Sequence, residues 1–505
     1  MIGTGTGKFN SAEERHDAGV WSAERIRKFG YRVVDEVANH LTNLPDRPVF
    51  RPFPRELADR YLEFGPPPEF GESEDRILEK FLAEIEPFPF GNGHPRFYGW
   101  VNSPPTVIGV FAEMLAAAMN PSCAGGNHAA IYVERQLVNW FKHLLGFPSQ
   151  SMGLLVSGAS MAALTALAVA RHSKCGFDVR SKGMQGTSPR LLLYKTGETH
   201  GCFQKAVELL GIGSENLRAI ERDSSGRMRS EALDACIRND LVKGYRPMAV
   251  VASAGTVNTG AIDPLGEIAD ICAQHGVWLH VDGAYGAPAI LSEKFADQLK
   301  PMSRADSVGL DPHKWLYIPV EAGLVIVRDA VAMRETFSLV PPYLRTDGKP
   351  HGVWGLPWFS EFGFQQTRGF RALKVWMALQ YHGISGYRAA IERDVQLAER
   401  LAAAVRNDPD FELREPQSLS IVCFRYSPSN VRDDAEALDS LNKSVLEKTQ
   451  LSGEAFLSST VMDGRFWLRA CIINPRTTDA DIDRLVETLR EIGGAIVRNY
   501  TERPE

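Results

Sequence analysis

The stretch Ser307-Val308-Gly309-Leu310-Asp311-Pro312-His313-Lys314-Trp315 is a short apolar run that stops abruptly at a cluster of charge. Small and branched residues closed by an Asp-Pro turn read as a buried strand, which puts His313 and Lys314 just beyond its carboxyl end. Upstream, 277–282 repeats the design, apolar residues leading into Asp282-Gly283-Ala284-Tyr285. Further apolar runs lie at 191–194, 248–253 and 323–327, with helical patterns between them. Strands alternating with helices predict an α/β protein with a mostly parallel sheet covered on both faces.

Towards the N-terminus, residues 20–44 carry Ile26, Val33, Val34, Val37 and Leu41 at helical spacing, with a break expected at Gly30. A Pro-rich passage then leads to a second amphipathic helix at 75–85. Beyond a helix at 370–380, two β-like runs (419–426 and 466–472) and helices near 385–406, 433–450 and 479–497 predict a smaller α+β domain. The expected division is therefore an N-terminal helical arm over 1–104, a large domain over 105–380 and a small domain over 381–505.

With 505 residues, 44% hydrophobic and 23% charged, the chain has the composition of an ordinary globular protein and is long enough for a sizeable core. A net charge of −6 with dispersed Lys and Arg argues against nucleic acid as a partner and favours a small-molecule substrate. The most apolar long stretch, 107–119, is interrupted by Glu113 and too short to span a bilayer. The polar, charged N-terminus lacks a secretory signature, so a cytoplasmic location is expected. Seven scattered cysteines without a C-x-x-C pair argue for free thiols and no metal site. Gly3-Thr-Gly5-Thr-Gly7-Lys8 follows no strand and lacks the Walker spacing, so it is set aside as a phosphate loop.

Ligands of open α/β sheets bind beyond the carboxyl ends of strands, and four such ends here carry chemistry. Lys314 there can form a Schiff base, although a solitary lysine is more often a surface side chain. Asp282 brings a carboxylate to a site that should be buried, which calls for a cation opposite it unless the residue merely caps a helix. Ser157-Gly158-Ala159-Ser160 opens an Ala-rich helix whose free N–H groups suit a phosphate, or else packs small residues against the sheet. His200 follows another strand, and its flat ring could stack on a cofactor ring.

Together these motifs resemble the group II pyridoxal-phosphate decarboxylases, the family of aromatic-L-amino-acid, histidine and glutamate decarboxylases. The most specific part is Asp311-Pro-His-Lys314-Trp, backed by His280-Val-Asp282-Gly-Ala284-Tyr. The resemblance implies a PLP-dependent transferase fold of type I, aspartate-aminotransferase-like, and pyridoxal 5'-phosphate as cofactor. It makes Lys314 the lysine bonded to the cofactor, Asp282 the partner of the pyridinium nitrogen and His200 the residue stacked on the ring. It puts Ala284 on the opposite ring face, Ala159, Ser160 and His313 around the phosphate, and Thr256 near the ring substituents. Trp100, Val101 and Ser103 fall where the family lines its substrate pocket. Asp311 stands where relatives often have Asn, so that two anions would share the phosphate site. Intertwined homodimers with active sites at the interface are also implied.

The activity implied is decarboxylation of an L-amino acid, with an aromatic substrate favoured by Trp100 and Val101. Met119-Asn120-Pro121-Ser122-Cys123, where aromatic enzymes place bulky apolar residues, leaves open a polar substrate such as glutamate or 2,4-diaminobutyrate. Relatives reprotonate the α-carbon from a loop tyrosine before an Arg-x-Phe-Arg run. Here Phe359 or Phe362 occupies that position, a change associated in plant relatives with oxidative deamination to an aldehyde. Tyr343, His351 or Glu361 could substitute as the acid. Transamination and a catalytically silent cofactor-binding protein are the further alternatives.

Overall fold

The computed structural model describes residues 20–186, 189–339 and 355–501. The stretch 3–8, Tyr343 and His351 lie outside the described residues. The chain divides into two compact units, Met1–Phe90 and Gly91–Glu505.

In the first unit, α1 (Ala23–Asn43) is capped by Ser22, whose hydroxyl accepts the Arg25 N–H. It is followed by α2 (Arg55–Leu62) and α3 (Glu74–Glu84), and Arg25 donates to Glu74 at 2.8 and 2.9 Å. The break expected at Gly30 does not occur. The helix runs through that residue because its backbone keeps helical geometry at a position with open space around it, where glycine weakens a helix without ending it.

The second unit contains two sheets. In the larger, β1 (Met152–Val156), β2 (Leu191–Lys195), β3 (Leu217–Ala219), β4 (Arg246–Ser253), β5 (Trp278–Asp282), β6 (Ser307–Leu310) and β7 (Gly323–Val327) lie in the order β1-β7-β6-β5-β4-β2-β3. The pairs from β3 to β6 are parallel, and β7 alone runs against both its neighbours. The carboxyl ends of β1, β2, β4, β5 and β6 therefore share one edge with the start of β7. These strands are buried almost throughout, as a sheet covered on both faces requires. Helices α4 (Val107–Met119), α5 (Ala129–Leu144) and α6 (Ala159–Lys174) precede or follow the first strand.

The smaller sheet is wholly antiparallel: β8 (Phe411–Leu413), β9 (Ile421–Tyr426), β10 (Ser458–Met462) and β11 (Arg465–Cys471) in the order β10-β11-β9-β8. Helices Ala435–Ser452 and Asp479–Thr501 complete this region, and a second hydrophobic cluster lies among them. The two helices expected at 370–380 and 385–406 are both present within the span Arg371–Asn407, and they meet at a kink where Gly383 leaves helical geometry at φ 63°. The buried apolar residues of this span up to Val395 pack into the cluster under the large sheet and those from Leu397 onward into that of the small sheet.

Candidate active site

A cleft of about 510 Å³ opens at the shared edge of the large sheet and is closed on its far side by residues of β10 and β11. Lys314 enters it from the turn after β6. Its Nζ lies 2.9 Å from Asp311 Oδ2, and Asp311 is almost fully buried with its other oxygen lacking a hydrogen-bond partner. His313 Nδ1–H donates to the Ala322 carbonyl at 2.7 Å, and burial holds this imidazole below the ordinary histidine range despite the nearby Asp311.

Asp282, at the end of β5, faces the same cleft. Burial pushes its carboxyl up, countered by Lys314 and by the Ala284 N–H, which donates to Oδ1 at 3.1 Å. A carboxylate held there gains from any further cation placed opposite it. The His200 ring borders the cleft and is oriented by Nδ1, which accepts the Cys202 N–H at 3.1 Å. The Cys202 thiol is pushed up to about 12 by burial, so it offers no thiolate to compete with the Lys314 amine.

The floor is the start of α6, where no side chain caps the first-turn amides. Ala159 and Ser160 line the cleft there. The neighbouring Gly323 is dictated by packing, because a Cβ on it would meet the Gly158 backbone at 2.5 to 2.8 Å. An uncapped helix start of this kind attracts an anion by about 0.3 to 1 kcal/mol.

Trp100, Val101 and Ala284 also line the cleft, and Trp100 is 47% exposed beside Phe97 and Phe456. Thr256 and Ser103 are turned away. The Thr256 hydroxyl accepts the Ala261 N–H at 3.1 Å within its own loop, leaving Gly255, Val257 and Asn258 on the cleft wall. Ser103 donates to the His313 carbonyl at 3.1 Å, so it braces the turn that carries Lys314.

Phe359 and Phe362 do not border the cleft. Both are buried, with the Arg135 guanidinium 4.4 and 5.7 Å from their ring centroids. Glu361 is held by Arg334 Nε, which donates at 2.7 Å.

Arg469 is the residue that reading the sequence missed. It lies on β11, is 3% exposed and borders the cleft, where it donates to the carbonyls of Trp100 (2.8 Å) and Val257 (2.8 Å). Among the described residues no carboxylate pairs with it. A charged residue in the buried run Phe466-Trp-Leu-Arg469-Ala-Cys was the available signal, because buried guanidinium needs a reason.

Residues 65–427 match the model of the pyridoxal-dependent decarboxylase conserved domain. The chain belongs to the pyridoxal-dependent decarboxylase family. It is 36% identical over 481 residues to an aromatic-L-amino-acid decarboxylase of Bacillus atrophaeus, covering 95% of this chain and 98% of the relative. It is also 28% identical to a phenylacetaldehyde synthase of Arabidopsis thaliana, covering 93% and 96%. Among solved structures, Oryza sativa TDC with PLP and tryptamine superposes with a TM-score of 0.86 at 25% identity, covering 94% of this chain and 99% of that one. This pyridoxal-dependent decarboxylase is thus an amino-acid carboxy-lyase of fold type I with pyridoxal 5'-phosphate as its cofactor. No helix of the described residues is long and apolar enough to cross a membrane, and all seven cysteines are unpaired.

Proposed function

We propose that the cleft around Lys314 is the decarboxylation site, that its substrate is an aromatic L-amino acid and that the product is the corresponding amine. The observation that carries this reading is the convergence of the Lys314 amine, the buried Asp282 carboxylate and the uncapped start of α6 on one cleft.

These groups fit pyridoxal 5'-phosphate. Lys314 offers an amine for its aldehyde, and Asp282 needs the cation that a protonated ring nitrogen supplies. The Ala159 and Ser160 amides, with His313, would hold the phosphate, and His200 and Ala284, which line the same cleft, would face the ring. Asp311 sits beside the Lys314 amine, which balances its charge and supports a place for it next to the phosphate region. Thr256 and Ser103 would act through the loop and turn that they brace. When bound, the cofactor supplies the electron sink that makes loss of carbon dioxide feasible.

The chain's own part is to position and to exclude water. Asp282 keeps a proton on the ring nitrogen, Trp100 and Val101 present flat apolar walls to the substrate side chain, and Arg469 adds positive charge on the side facing the small sheet. The likeness to the aromatic-L-amino-acid decarboxylase of Bacillus atrophaeus and to the Oryza sativa structure with tryptamine supports an aromatic substrate.

Aldehyde formation is the second reading, favoured by phenylalanine at 359 and 362 and by the likeness to phenylacetaldehyde synthase. We further propose a cytoplasmic homodimer divided into an arm over 1–104, a cofactor-binding domain over 105–380 and a small domain over 381–505. The exposed Val107, Met114, Leu115 and Met119 of α4 support a subunit interface, and the unpaired cysteines support a reducing compartment.

The test is to incubate the holoenzyme with the twenty amino acids, ornithine and 2,4-diaminobutyrate, measuring carbon dioxide and organic product. Amine from Trp, Tyr or Phe without oxygen consumption is expected. Aldehyde, ammonia and peroxide would move the assignment to the second reading, and turnover of glutamate or diaminobutyrate alone would overturn the aromatic substrate. Borohydride should fix the cofactor to Lys314, and labelling elsewhere would remove the site.

A further inference from the structure

Two aromatic residues follow Lys314 in the chain, and both are tied to a carboxylate that lies outside the cleft. Asp394 is fully buried on the helix Arg371–Asn407, and its Oδ2 accepts Trp315 Nε1–H at 2.8 Å and the Tyr317 hydroxyl at 2.7 Å. We propose that Asp394 is a positioning residue, setting the orientation of the Lys314 amine by clamping both donors of the turn that follows it.

Three observations support the clamp. The turn needs holding, because Tyr317 stands at φ 52°, a left-handed conformation that a bulky side chain adopts only when its surroundings impose it. The turn is short, with Lys314 N–H bonded to the Asp311 carbonyl (3.0 Å) and Tyr317 N–H to the Lys314 carbonyl (3.2 Å), so rotation at 315 or 317 moves 314 directly. Trp315 also stacks on Tyr285 at 4.9 Å between centroids, three residues beyond Asp282, which gives the clamp a hold on the ends of β5 and β6.

The position of Asp394 along its helix adds to this. Ile391 and Val395 belong to the cluster under the large sheet, whereas Leu397 and Ala398 belong to that of the small sheet. The carboxylate thus lies at the seam between the two cores and registers the Lys314 turn against both. Around it are Arg393 on its own helix, Asn474 and Cys471 from the small-sheet side, and Tyr387 beside Tyr317. Burial raises its carboxyl to about 7 against the opposing hydrogen bonds, and its Oδ1 has no hydrogen-bond partner. The cost of burying this acid is offset by the two hydrogen bonds that it accepts from the Lys314 turn.

The inference rests on Lys314 being the cofactor-bonding lysine, and the experiment separates the two. Asp394→Ala, Asp394→Asn and Tyr317→Phe are compared with wild type as holoenzymes for kcat, KM, melting temperature and the visible circular dichroism of the bound cofactor. Asp394→Ala is expected to lower kcat at least tenfold with KM changed less than threefold and to alter the visible dichroism. Asp394→Asn, which keeps an acceptor oxygen, should return kcat to within threefold of wild type. Should Asp394→Ala fail to fold, Tyr317→Phe decides, with a loss of kcat of at least threefold and the same dichroic change expected. A kcat within twofold of wild type, or a loss that follows melting temperature while the dichroism stays unchanged, overturns the proposal. Failure of borohydride to label Lys314 in the wild-type protein would remove its premise instead, whatever the Asp394 variants do.

Discussion

Gly323→Ala tests the reasoning about the cleft floor most directly. The added Cβ would lie 2.5 Å from Gly158 Cα and 2.6 and 2.8 Å from its C and N, about 0.6 to 0.9 Å short of ordinary contact at 3.4 Å, and all three are backbone atoms. The clash has no flexible side chain to absorb it, so the turn before α6 must shift by several tenths of an ångström. Overpacking of this kind costs about 1 to 3 kcal/mol. If the strain falls on the amides that hold the phosphate, cofactor affinity drops roughly five- to hundredfold, since ~1.4 kcal/mol is a factor of ten. Gly201→Ala is the control, because that glycine has helical φ −60° and nothing within 4 Å of its Cβ, yet adjoins His200. Titration of the apoprotein with pyridoxal phosphate, followed by absorbance, reads both. Equal affinity for Gly323→Ala and wild type would mean that the turn does not hold the phosphate.

Asp282→Ala is expected to weaken cofactor retention and catalysis together, as removing one partner of a buried charge pair costs on the order of 3 to 5 kcal/mol; full activity after dialysis would contradict it. Arg368→Met leaves Glu134 buried without its partner, so urea melts should report a loss of about 3 to 5 kcal/mol, with the double variant Arg368→Met/Glu134→Gln recovering part of it. His280 is held neutral because burial lowers its pKa to about 3 from the ordinary 6.5. The native state then binds fewer protons than the unfolded chain between those values, and stability is complete above pH 6.5 and falls as pH drops towards 3. Between pH 7.5 and 5 this one residue should remove about 2 kcal/mol, a slope that His280→Gln abolishes; parallel stability curves for the two proteins would be the contrary outcome.

Most of the large sheet was legible because those strands are buried on both faces and read as apolar runs, and because Asp282 and Asp311 end two of them with charge, whereas β3 is only three residues long and partly exposed. For the same reason the structure gathers Lys314, His313, Asp282, His200 and the Ser157–Ser160 turn at one edge. What escaped was set by partners distant in sequence. β8 and β10 lie on the edges of the small sheet, and β10 alternates buried and exposed residues too briefly to stand out. Arg469 looks like an ordinary strand residue until Trp100 and Val257 are brought against it. Phe359 and Phe362 read as a loop position because nothing local reveals Arg135 stacked over them.

The kinked helix Arg371–Asn407 gives the enzyme a shared spine. With the segment beyond Gly383 contributing side chains to both hydrophobic clusters, neither can melt without stripping apolar surface from the other. The two sheets are therefore expected to unfold together, and a fragment cut at the bend would part Tyr387, Ile391 and Val395 from the large-sheet cluster to which they belong.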